Sequence, residues 1–488
     1  MTEKSVEKIV SLAKRRGFVF QSSDIYGGLN GCWDYGPMGV ELLRNIKDEW
    51  WKNMTYRDNI EGIDASILMH PGVWKASGHV DNFTDPMIDC KKCRSRFRID
   101  TLSENFNKKK KNKYIRSLTE NLKGTKPDIE EILSLHNESE SFDLILDNIS
   151  LSIHLLPLLN CPVCGNKDSF TEPRNFNLMF KTFLGPLEDS KNTVFLRPET
   201  AQGIFVNFTN VLNSGRQKIP FGIAQIGKAF RNEINTKNFL FRTREFEQME
   251  MEFFIKPDDD KKYFEFWKDS RMEWFKEMGI DPEKLRFSKH PADKLAHYAK
   301  EAVDIEYEFP FGWGEIEGIH NRTDYDLSKH EEHSKKSQHY FDETDKMKFI
   351  PNIIETSAGA SRSFMAFLLD AYNEEEVNKE KRIVMKFHPR IAPVKIAIFP
   401  LVNKDGLPEI AKKIEKDLRS SFRIFFDDKG AVGRRYRRMD EIGTPFCLTV
   451  DHETISDGSV TIRDRDSMEQ ERIGIEHLRT YFDKKIRQ

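Results

Sequence analysis

Residues 221–254, FGIAQIGKAFRNEINTKNFLFRTREFEQMEMEFF, carry the pattern that decides the fold. Alternating apolar residues on both sides of NTKN (235–238) predict two antiparallel strands joined by a turn, because asparagine tolerates turn geometry. The stretch also contains three arginines and five glutamates. A sheet usually keeps one face apolar and leaves charge on the solvent side. Charge of both signs at this density indicates either a solvated face or a binding surface.

The period of two in a strand sorts these side chains onto two faces. Polar residues fall together on one face, namely Arg231 and Glu233 with Gln225 in the first strand, and Arg242, Arg244, Phe246, Gln248 and Glu250 in the second. The opposite face of the second strand carries Thr243, Glu245, Glu247, Met249, Met251 and Phe253. Arginines, an aromatic ring and carboxylates on one surface suit a nucleotide. A solvated face with weak surface ion pairs is the alternative, and spacing alone does not separate the two.

Length and charge limit the possible classes of protein. A chain of 488 residues is expected to form about three domains. A formal net charge of −2 gives no global field that favours nucleic acid, although local basic patches could bind it. The longest apolar run is far shorter than a membrane-spanning helix, so no membrane partner is expected. MTEKSVEKIVSLAKRRGF (1–18) predicts a charged amphipathic helix without the apolar core of a signal peptide, which favours a cytoplasmic location.

Several segments, in order along the chain, resemble the class II aminoacyl-tRNA synthetases in their glycyl, single-chain homodimeric form. FRNE (230–233) with FRTREFEQMEMEFF (241–254) resembles motif 2, and GFVFQSSDIYGGLNGCWDYGPMGVELLRNIKDEWW (17–51) resembles motif 1, the dimer interface. FLRPETAQGIF (195–205), FGWGEIEGI (311–319) and IETSAGASR (354–362) resemble the other active-site segments, the last being motif 3. APVKIAIFPL (392–401) and GRRYRRMDEIGTPFCLTVD (433–451) resemble the anticodon-binding domain.

The resemblance implies an α/β (α+β) fold with an antiparallel-sheet catalytic domain. The N-terminal part of the catalytic domain would span 1–84. An insertion with a zinc knuckle and a helical region would span 85–175. The rest of the catalytic domain would span 176–385 and contain a helical insertion at about 257–310. Strands alternating with helices over 390–488 predict a mixed-sheet domain, which the resemblance identifies as anticodon-binding.

The activity implied is glycine–tRNA ligation, with ATP, glycine and tRNA(Gly) as substrates and Mg²⁺ as cofactor. Arg231 would hold the α-phosphate and the attacking carboxylate, Arg362 the γ-phosphate, and Phe246 would stack on adenine beside Glu233. The implied ATP site comprises Arg231, Asn232, Glu233, Phe241, Arg242, Thr243, Arg244, Glu245, Phe246, Glu315, Ile316, Gly359, Ala360, Ser361 and Arg362. The implied glycine site comprises Arg98, Glu199, Phe246, Glu247, Gln248, Met249, Glu250, Glu355, Thr356, Ser357, Ala358 and Gly359.

Motif 3 departs from the family pattern at two positions. Thr356 stands where the family usually has proline, and Ser361 stands where it usually has aspartate. Because Glu355, Ser357 and Arg362 are retained, we expect an altered turn and a working site.

Four of the six cysteines form two CxxC pairs, CKKC (Cys90, Cys93) and CPVC (Cys161, Cys164). Thiolates at this spacing bind tetrahedral Zn²⁺ in closed structural sites, so a structural zinc is expected. Four unligated buried thiols are the alternative.

Two basic stretches could contact tRNA. KKKKNK (108–113) is expected to be a solvated run in a loosely structured, mobile insertion. In GRRYRR (433–438) an aromatic residue lies among four arginines, which suits unstacked anticodon bases, although a basic helix face is equally compatible.

Two other functions remain to be separated from glycine–tRNA ligation. A synthetase-like, non-catalytic nucleic-acid-binding subunit would lose the ATP arginines and the glycine carboxylates, which are present here. The same fold acting on histidine, proline or threonine would need a larger pocket than one lined by glutamates.

Overall fold

The computed structural model describes residues 3–122, 126–189, 191–236, 238–291, 295–296, 298–377 and 379–487. The chain forms two compact units. The first comprises 1–69, 199–230 and 236–488, and the second comprises 70–198 and 231–235. The second unit is therefore wider than the expected insertion at 85–175.

The helices are α1 (Glu3–Arg15), α2 (Pro37–Thr55), α3 (Pro71–Ala76), α4 (His79–Asn82), α5 (Ile99–Leu102), α6 (Lys108–Asn121), α7 (Pro127–Leu135), α8 (Glu138–Asp147), α9 (Ile149–Leu155), α10 (Ala201–Phe205), α11 (Phe208–Ser214), α12 (Asp260–Glu277), α13 (Tyr325–Ser334), α14 (Ala360–Ala371), α15 (Leu407–Leu418), α16 (Val432–Ile442), α17 (His452–Asp457) and α18 (Leu478–Arg487).

The strands are β1 (Val19–Gln21), β2 (Trp33–Tyr35), β3 (Ile60–Gly62), β4 (Thr84–Asp89), β5 (Arg96–Arg98), β6 (Arg174–Asn177), β7 (Lys181–Phe183), β8 (Thr193–Phe195), β9 (Phe221–Phe230), β10 (Glu245–Ile255), β11 (Leu285–Lys289), β12 (Glu301–Phe309), β13 (Gly312–Thr323), β14 (Tyr340–Asp342), β15 (Met347–Phe349), β16 (Asn352–Gly359), β17 (Tyr372–Val377), β18 (Glu380–Met385), β19 (Ile396–Pro400), β20 (Ile424–Phe426), β21 (Phe446–Val450), β22 (Ser459–Asp464) and β23 (Gln470–Gly474).

A seven-stranded sheet in the order β11-β12-β13-β16-β10-β9-β3 forms the centre of the first unit. Its neighbours pair antiparallel, except that β3 runs parallel to β9. The predicted antiparallel sheet is therefore confirmed. Met249, Met251 and Phe253 lie in the core on one face of β10, as their alternation predicted.

The opening hairpin differs from its prediction at the turn. The pairing of β9 with β10 ends at Phe230 and Glu245, so the connection spans 231–244. Asn238 and Phe239 adopt positive φ within this connection, a conformation that a regular strand does not contain. Arg231, Glu233, Arg242 and Arg244 consequently lie outside the strands, and the assignment of these residues to strand faces was wrong. Lys237 lies outside the described residues.

The helical insertion expected at about 257–310 is helical only in its first part. After α12 the chain forms β11 and β12, which pair as neighbours in the large sheet. In β12 Val303, Ile305, Tyr307 and Phe309 are buried in alternation with more exposed residues, which is the pattern of a strand.

The second unit is more ordered than expected. Three strands pair in the order β5-β4-β6, and β7 pairs with β8. The described residues of the polar tract at 101–156 include helices α6 to α9, which share a buried cluster including Leu118, Phe142 and Ile145. KKKKNK begins α6, where the Lys111 ammonium lies 2.7 Å from the Asp143 carboxylate. The expectation of a loosely structured segment was therefore wrong, because its apolar residues recur at helical spacing and pack together.

The C-terminal part of the first unit has the predicted mixed sheet, in the order β20-β19-β21-β22-β23. β19 runs parallel to β20 and β21, and the remaining pairs are antiparallel. GRRYRR lies in α16. Buried Arg435 donates to the carbonyl oxygens of Pro400 and Gly430, at 2.6 and 3.1 Å, and the Tyr436 hydroxyl lies 2.6 Å from Thr449 Oγ1. Arg435 belongs to the interior of the fold, so the interpretation that this side chain contacts anticodon bases is corrected, whereas Tyr436 is half-buried.

Within the described residues no helix combines the length and apolarity needed to cross a membrane.

Candidate functional site

An acidic floor lies on the face of the large sheet opposite the core. Because opposed residues of paired strands share a face, strand register decides which side chains meet there. Glu250 is opposite Gln225 on β9 and Ser357 on β16, and Glu252 is opposite Glu355. The carboxyl groups of Glu250, Glu252 and Glu355 each offer an oxygen within 4.8 Å of the others, and all three residues are buried. We call these three residues the acidic floor.

Two cationic side chains of β13 hold Glu355. Arg322 donates to Glu355 Oε2 at 2.5 Å, and His320 Nδ1 lies 2.6 Å from Glu355 Oε1. Burial alone would raise the pKa of Glu355, but the nearby Arg322 and His320 outweigh it and lower the pKa to about 2. Glu355 is therefore an ionised and fully engaged carboxylate.

Among the described residues, the hydrogen-bond partners of Glu250 are neutral side chains. The Thr200 hydroxyl donates to Glu250 Oε2, and the Gln248 amide lies 3.5 Å from Glu250 Oε1 and 3.2 Å from Ser357 Oγ. Burial, together with the charges of Glu355 and Glu199, raises the pKa of Glu250 to about 7. Glu250 thus differs from Glu355, whose cationic neighbours favour the charged form.

Glu199 lies at the edge of the same polar face. Its carboxylate accepts a hydrogen bond from Gln202 Nε2 at 3.0 Å, and the same amide donates to Asp326 Oδ1 at 3.0 Å. Asp326 in turn receives two hydrogen bonds from Arg322. One connected network therefore orients Glu199 and Glu355.

Arg362, near the start of α14, joins two other segments. Its guanidinium stacks over the Phe241 ring at 4.4 Å and lies 2.8 Å from the Glu315 carboxylate. It also donates to the carbonyl oxygens of Phe241 and Glu315, at 3.1 and 3.2 Å. The structure thus brings together the predicted ATP residues Phe241, Glu315 and Arg362.

A cavity of about 290 Å³ collects another group of predicted residues. Its walls include Thr243, Glu245, Phe246, Glu247 and Ser361, together with residues of β1–β2 such as Trp33 and Tyr35. The Tyr35 hydroxyl donates to Ser361 Oγ at 3.0 Å, and burial raises the pKa of Tyr35. Ser361 therefore contacts the motif 1 region. Arg244 donates its backbone N–H to Gly31 O at 2.8 Å in the neighbouring loop.

The first half of motif 2 belongs to the second unit. Arg231 Nε donates to Pro198 O at 3.0 Å, and its guanidinium lies over the Phe83 ring at 5.4 Å. Asn232 N donates to Leu178 O at 2.7 Å. Glu233 is buried in the same unit, and Arg98 forms an ion pair with Asp85 at 3.1 Å.

Several predicted site residues lie away from the polar face. Met249, Ala358 and Ile316 are in the core, Thr356 is opposite Met251, and Glu247 pairs with Lys47 of α2 at 2.9 Å. Strand alternation explains this result, because a continuous run of motif residues must send every second side chain to the other face. The assignment of Met249, Ala358, Ile316 and Thr356 to substrate contacts by their side chains is therefore corrected, whereas Glu247 still lines the cavity. Gly359 is opposite Gln248, and Ala360 begins α14.

Sequence reasoning missed other residues of the polar face. They are Thr200, Gln202, Gln225 as a site residue, Glu252, His320, Arg322 and Asp326. Glu252 shares the strand parity of Glu250, so the period of two contained that signal. Arg322 and His320 gave no comparable local signal, because only the pairing of β13 with β16 brings them to Glu355.

The four cysteine sulfurs form one cluster in the second unit. Cys90 Sγ lies 3.7 Å from Cys164 Sγ, and Cys93 Sγ lies 3.7 Å from Cys161 Sγ. All four sulfurs lie within 4.8 Å of one another. Sulfurs arranged tetrahedrally at the usual Zn–S distance would be about 3.8 Å apart, so the donor set fits zinc.

Two known domain families match parts of this chain. The tRNA synthetase class II core domain (G, H, P, S and T) matches residues 180–372, and the anticodon binding domain matches residues 395–485. The chain is 52% identical to a glycine–tRNA ligase of Treponema denticola over 96% of this chain and 94% of that protein. It is 53% identical to a glycine–tRNA ligase of Borreliella burgdorferi (strain B31), over 99% of this chain and 97% of that protein. It is 52% identical to a glycine–tRNA ligase of Caldanaerobacter subterraneus, over 99% of each chain.

Proposed function

Because the chain belongs to the glycine–tRNA ligase family of class II aminoacyl-tRNA synthetases, we infer that it joins glycine to the 3′ end of tRNA(Gly) with ATP as energy source. Glycine would first form an adenylate with release of pyrophosphate. A hydroxyl of the terminal tRNA ribose would then attack the adenylate. The buried acidic floor is the observation that best supports glycine as the substrate, since it offers carboxylates to an ammonium group.

For the nucleotide, we propose the roles that motifs 2 and 3 carry in the family. Arg362 would bind the γ-phosphate, and its stacking on Phe241 and ion pair with Glu315 support a guanidinium already oriented before ATP arrives. Arg231 would hold the α-phosphate and the glycine carboxylate. Phe246 would stack on adenine, next to Glu233.

For the amino acid, Glu250, Glu199, Glu355 and Ser357 would surround the glycine ammonium group. Glycine has no side chain to recognise, so selection must also exclude larger residues. A missing methyl group gives only about 1–3 kcal/mol of discrimination by attraction, and steric exclusion is the stronger device.

Neither chemical step requires a protein nucleophile. Positioning of the two substrates and charge stabilisation by Arg231 and Arg362 would supply the catalysis. Mg²⁺ prefers oxygen donors, and the half-exposed carboxylate of Glu315 beside Arg362 is suitable. When bound with ATP, Mg²⁺ would neutralise phosphate charge.

Amino-acid-dependent ATP–pyrophosphate exchange tests this function. We expect exchange with glycine and little with alanine, serine, histidine, proline or threonine. Absence of exchange with every amino acid would favour the non-catalytic alternative and contradict the proposal.

Arg231→Ala tests the assigned role of the motif 2 arginine. Exchange should fall at least about 100-fold, because loss of one charge-stabilising donor typically has an effect of this size. Arg116→Ala removes an exposed arginine of α6 and is the matched control. A fully active Arg231→Ala protein would refute the assignment.

We also propose a structural Zn²⁺ held by Cys90, Cys93, Cys161 and Cys164, and a homodimer formed through the motif 1 region. The catalytic parts would be 1–84 and 176–385, the insertion 85–175 and the anticodon-binding domain 390–488. We also propose a cytoplasmic location, because the substrates of the proposed reaction serve protein synthesis.

A further inference from the structure

Glu252 is the member of the acidic floor that is not among the proposed glycine contacts. It lies on β10 next to Glu250 along the polar face, and its side chain is completely buried. Neither carboxylate oxygen has a hydrogen-bond partner among the described residues. A buried ionised carboxylate without donors is strongly disfavoured, so this group needs a proton or a cation.

The surrounding charges supply that cation only in part: the Arg322 charge lowers the pKa of Glu252, but burial and the neighbouring carboxylates outweigh it. Two basic side chains of β13, Arg322 and His320, face Glu252. Both form hydrogen bonds with the Glu355 carboxylate. Arg322 also holds Asp326 of α13 with two hydrogen bonds. The charged and titratable groups around the acidic floor are Glu250, Glu355, Glu199, Asp326, Tyr298, His320 and Arg322. Carboxyl groups outnumber cations in this set.

Gln225 is a second buried polar side chain on this face whose hydrogen-bonding groups are unsatisfied within the described part of the chain. It is opposite Glu250 across the β9–β10 pair and is completely buried. Its amide oxygen and nitrogen both have no partner within the described part of the chain. The oxygen would lie 3.4 Å from a Cβ placed on Gly203, so it faces a closely packed neighbour and not open solvent. A buried amide of this kind can serve a protonated carboxyl group or a polar ligand.

We propose that Glu250 and Glu252 share one proton in the ligand-free protein and that binding of the glycine ammonium group expels this proton to solvent. Two buried carboxyl groups this close cannot both be ionised without a compensating cation. The ammonium group supplies the missing positive charge, so both carboxyl groups then ionise and one proton leaves. The Thr200 hydroxyl and Gln248 amide favour the anion on Glu250, which leaves the proton on Glu252. This inference rests on the proposed glycine specificity.

The direction of the pKa shifts agrees with this geometry. Burial, followed by the charges of Glu355 and Glu250, raises the pKa of Glu252 well above its ordinary value. The pKa of Glu250 is raised to about 7. A proton on the pair therefore competes with glycine in the neutral range, and glycine affinity should weaken as the pH falls.

Proton release can be measured on the wild-type protein. A stable glycyl-adenylate analogue, glycylsulfamoyl adenosine, is titrated calorimetrically at pH 7 in phosphate and in Tris, which differ in ionisation enthalpy. We expect about half a proton or more to be released per bound analogue. Binding without proton exchange would overturn the proposal.

The pH dependence of the glycine KM tests the part played by Glu252. Between pH 8 and pH 6 the wild-type KM for glycine in ATP–pyrophosphate exchange should rise about tenfold, because one proton competes with the ligand. In Glu252→Gln the rise should be less than about threefold, since the amide cannot hold a titrating proton and its N–H groups can donate to Glu250, which favours the anion there. The KM for ATP serves as the internal reference.

Glu308→Gln changes an exposed carboxyl group of β12 and is the matched control, which should follow the wild type. A tenfold rise that persists in Glu252→Gln would exclude its role, and a wild-type KM that is constant with pH would refute proton sharing. Should Glu252→Gln fail to fold, the wild-type calorimetry still decides. If the wild-type protein shows no glycine-dependent ATP–pyrophosphate exchange, that result contradicts the proposed function itself.

Discussion

Arg271 and Glu317 form a buried ion pair on the core face of the sheet. Arg271 Nε donates to Glu317 Oε1 at 2.7 Å, and both side chains are completely buried. Asn53 accepts a second hydrogen bond at 2.9 Å, and Trp274 packs under the guanidinium at 4.7 Å. Burial raises the pKa of Glu317, and the Arg271 charge partly offsets that rise. Each member of the pair is therefore tolerated in the core only because the other is present.

Arg271→Ala should destabilise the first unit by about 3–5 kcal/mol, because it leaves Glu317 buried without its cation. Urea denaturation at pH 7 measures the change. Arg286→Ala removes a half-exposed arginine that pairs with Glu306, and it should cost about 1 kcal/mol or less. Similar values for the two variants would contradict the importance of this buried pair.

Alternation of side chains along a strand, or strand parity, was sufficient to assign some residues to the correct face of the sheet. It correctly assigned Met249, Met251 and Phe253 to the core, and it contained the signal for Glu252. It failed for Arg231 and Arg242, since parity has meaning only inside a paired strand and β9 ends at Phe230.

At the scale of elements, the two CxxC knuckles connect segments that are far apart in sequence. Cys90 and Cys93 follow β4, whereas Cys161 and Cys164 follow α9. The helices α6 to α9 lie between them and share a single buried cluster with Cys90 and Cys161. A metal joining the knuckles would therefore close this helical segment at its base.

Cys93→Ser should reduce bound zinc from about one to less than about 0.2 atoms per chain, since three thiolates make an incomplete structural site. The unfolding temperature of the second unit should fall by several degrees. Metal analysis and calorimetry measure the two effects. Cys32→Ser, which changes a cysteine outside the cluster, should alter neither, and zinc retained in Cys93→Ser would contradict the ligand assignment.

The segments that resemble motifs 1 and 3 each contain a regular helix boundary. α2 ends the motif 1 segment, and in motif 3 the strand β16 is followed directly by the apolar helix α14. The expected helical insertion failed after Glu277, because β11 and β12 obtain their hydrogen bonds from the large sheet and not from local contacts.

At the scale of the whole molecule, the motif 1 loop exposes large apolar side chains. Ile25 and Tyr26 are 90% and 87% exposed, and Leu29 is 55% exposed. Clustered apolar groups on a protein surface commonly mark an association site. This exposure supports the proposed homodimer, in which a second copy would cover the loop.

Replacing Ile25 and Tyr26 together by lysine should convert the dimer into a monomer, because charge would have to be buried in the interface. Light scattering coupled to size-exclusion chromatography measures the mass. Leu135→Lys changes an exposed leucine of the second unit and should leave the mass unchanged. A dimer that survives the double substitution would place the interface elsewhere.

The sequence by itself determined the family, the order of its motifs, the apolar face of β10 and the cysteine pairs, because each of these depends on residue type and short spacing. Only the tertiary structure decided that Glu252 faces Glu355 and that Arg322 and His320 hold it. These residues lie between 33 and 103 positions apart in the sequence, and their meeting depends on hydrogen-bond register between β10, β16 and β13. Register is set by long-range pairing and core packing, so the local pattern could place Glu252 beside Glu250 but could not place Arg322 and His320 against Glu355.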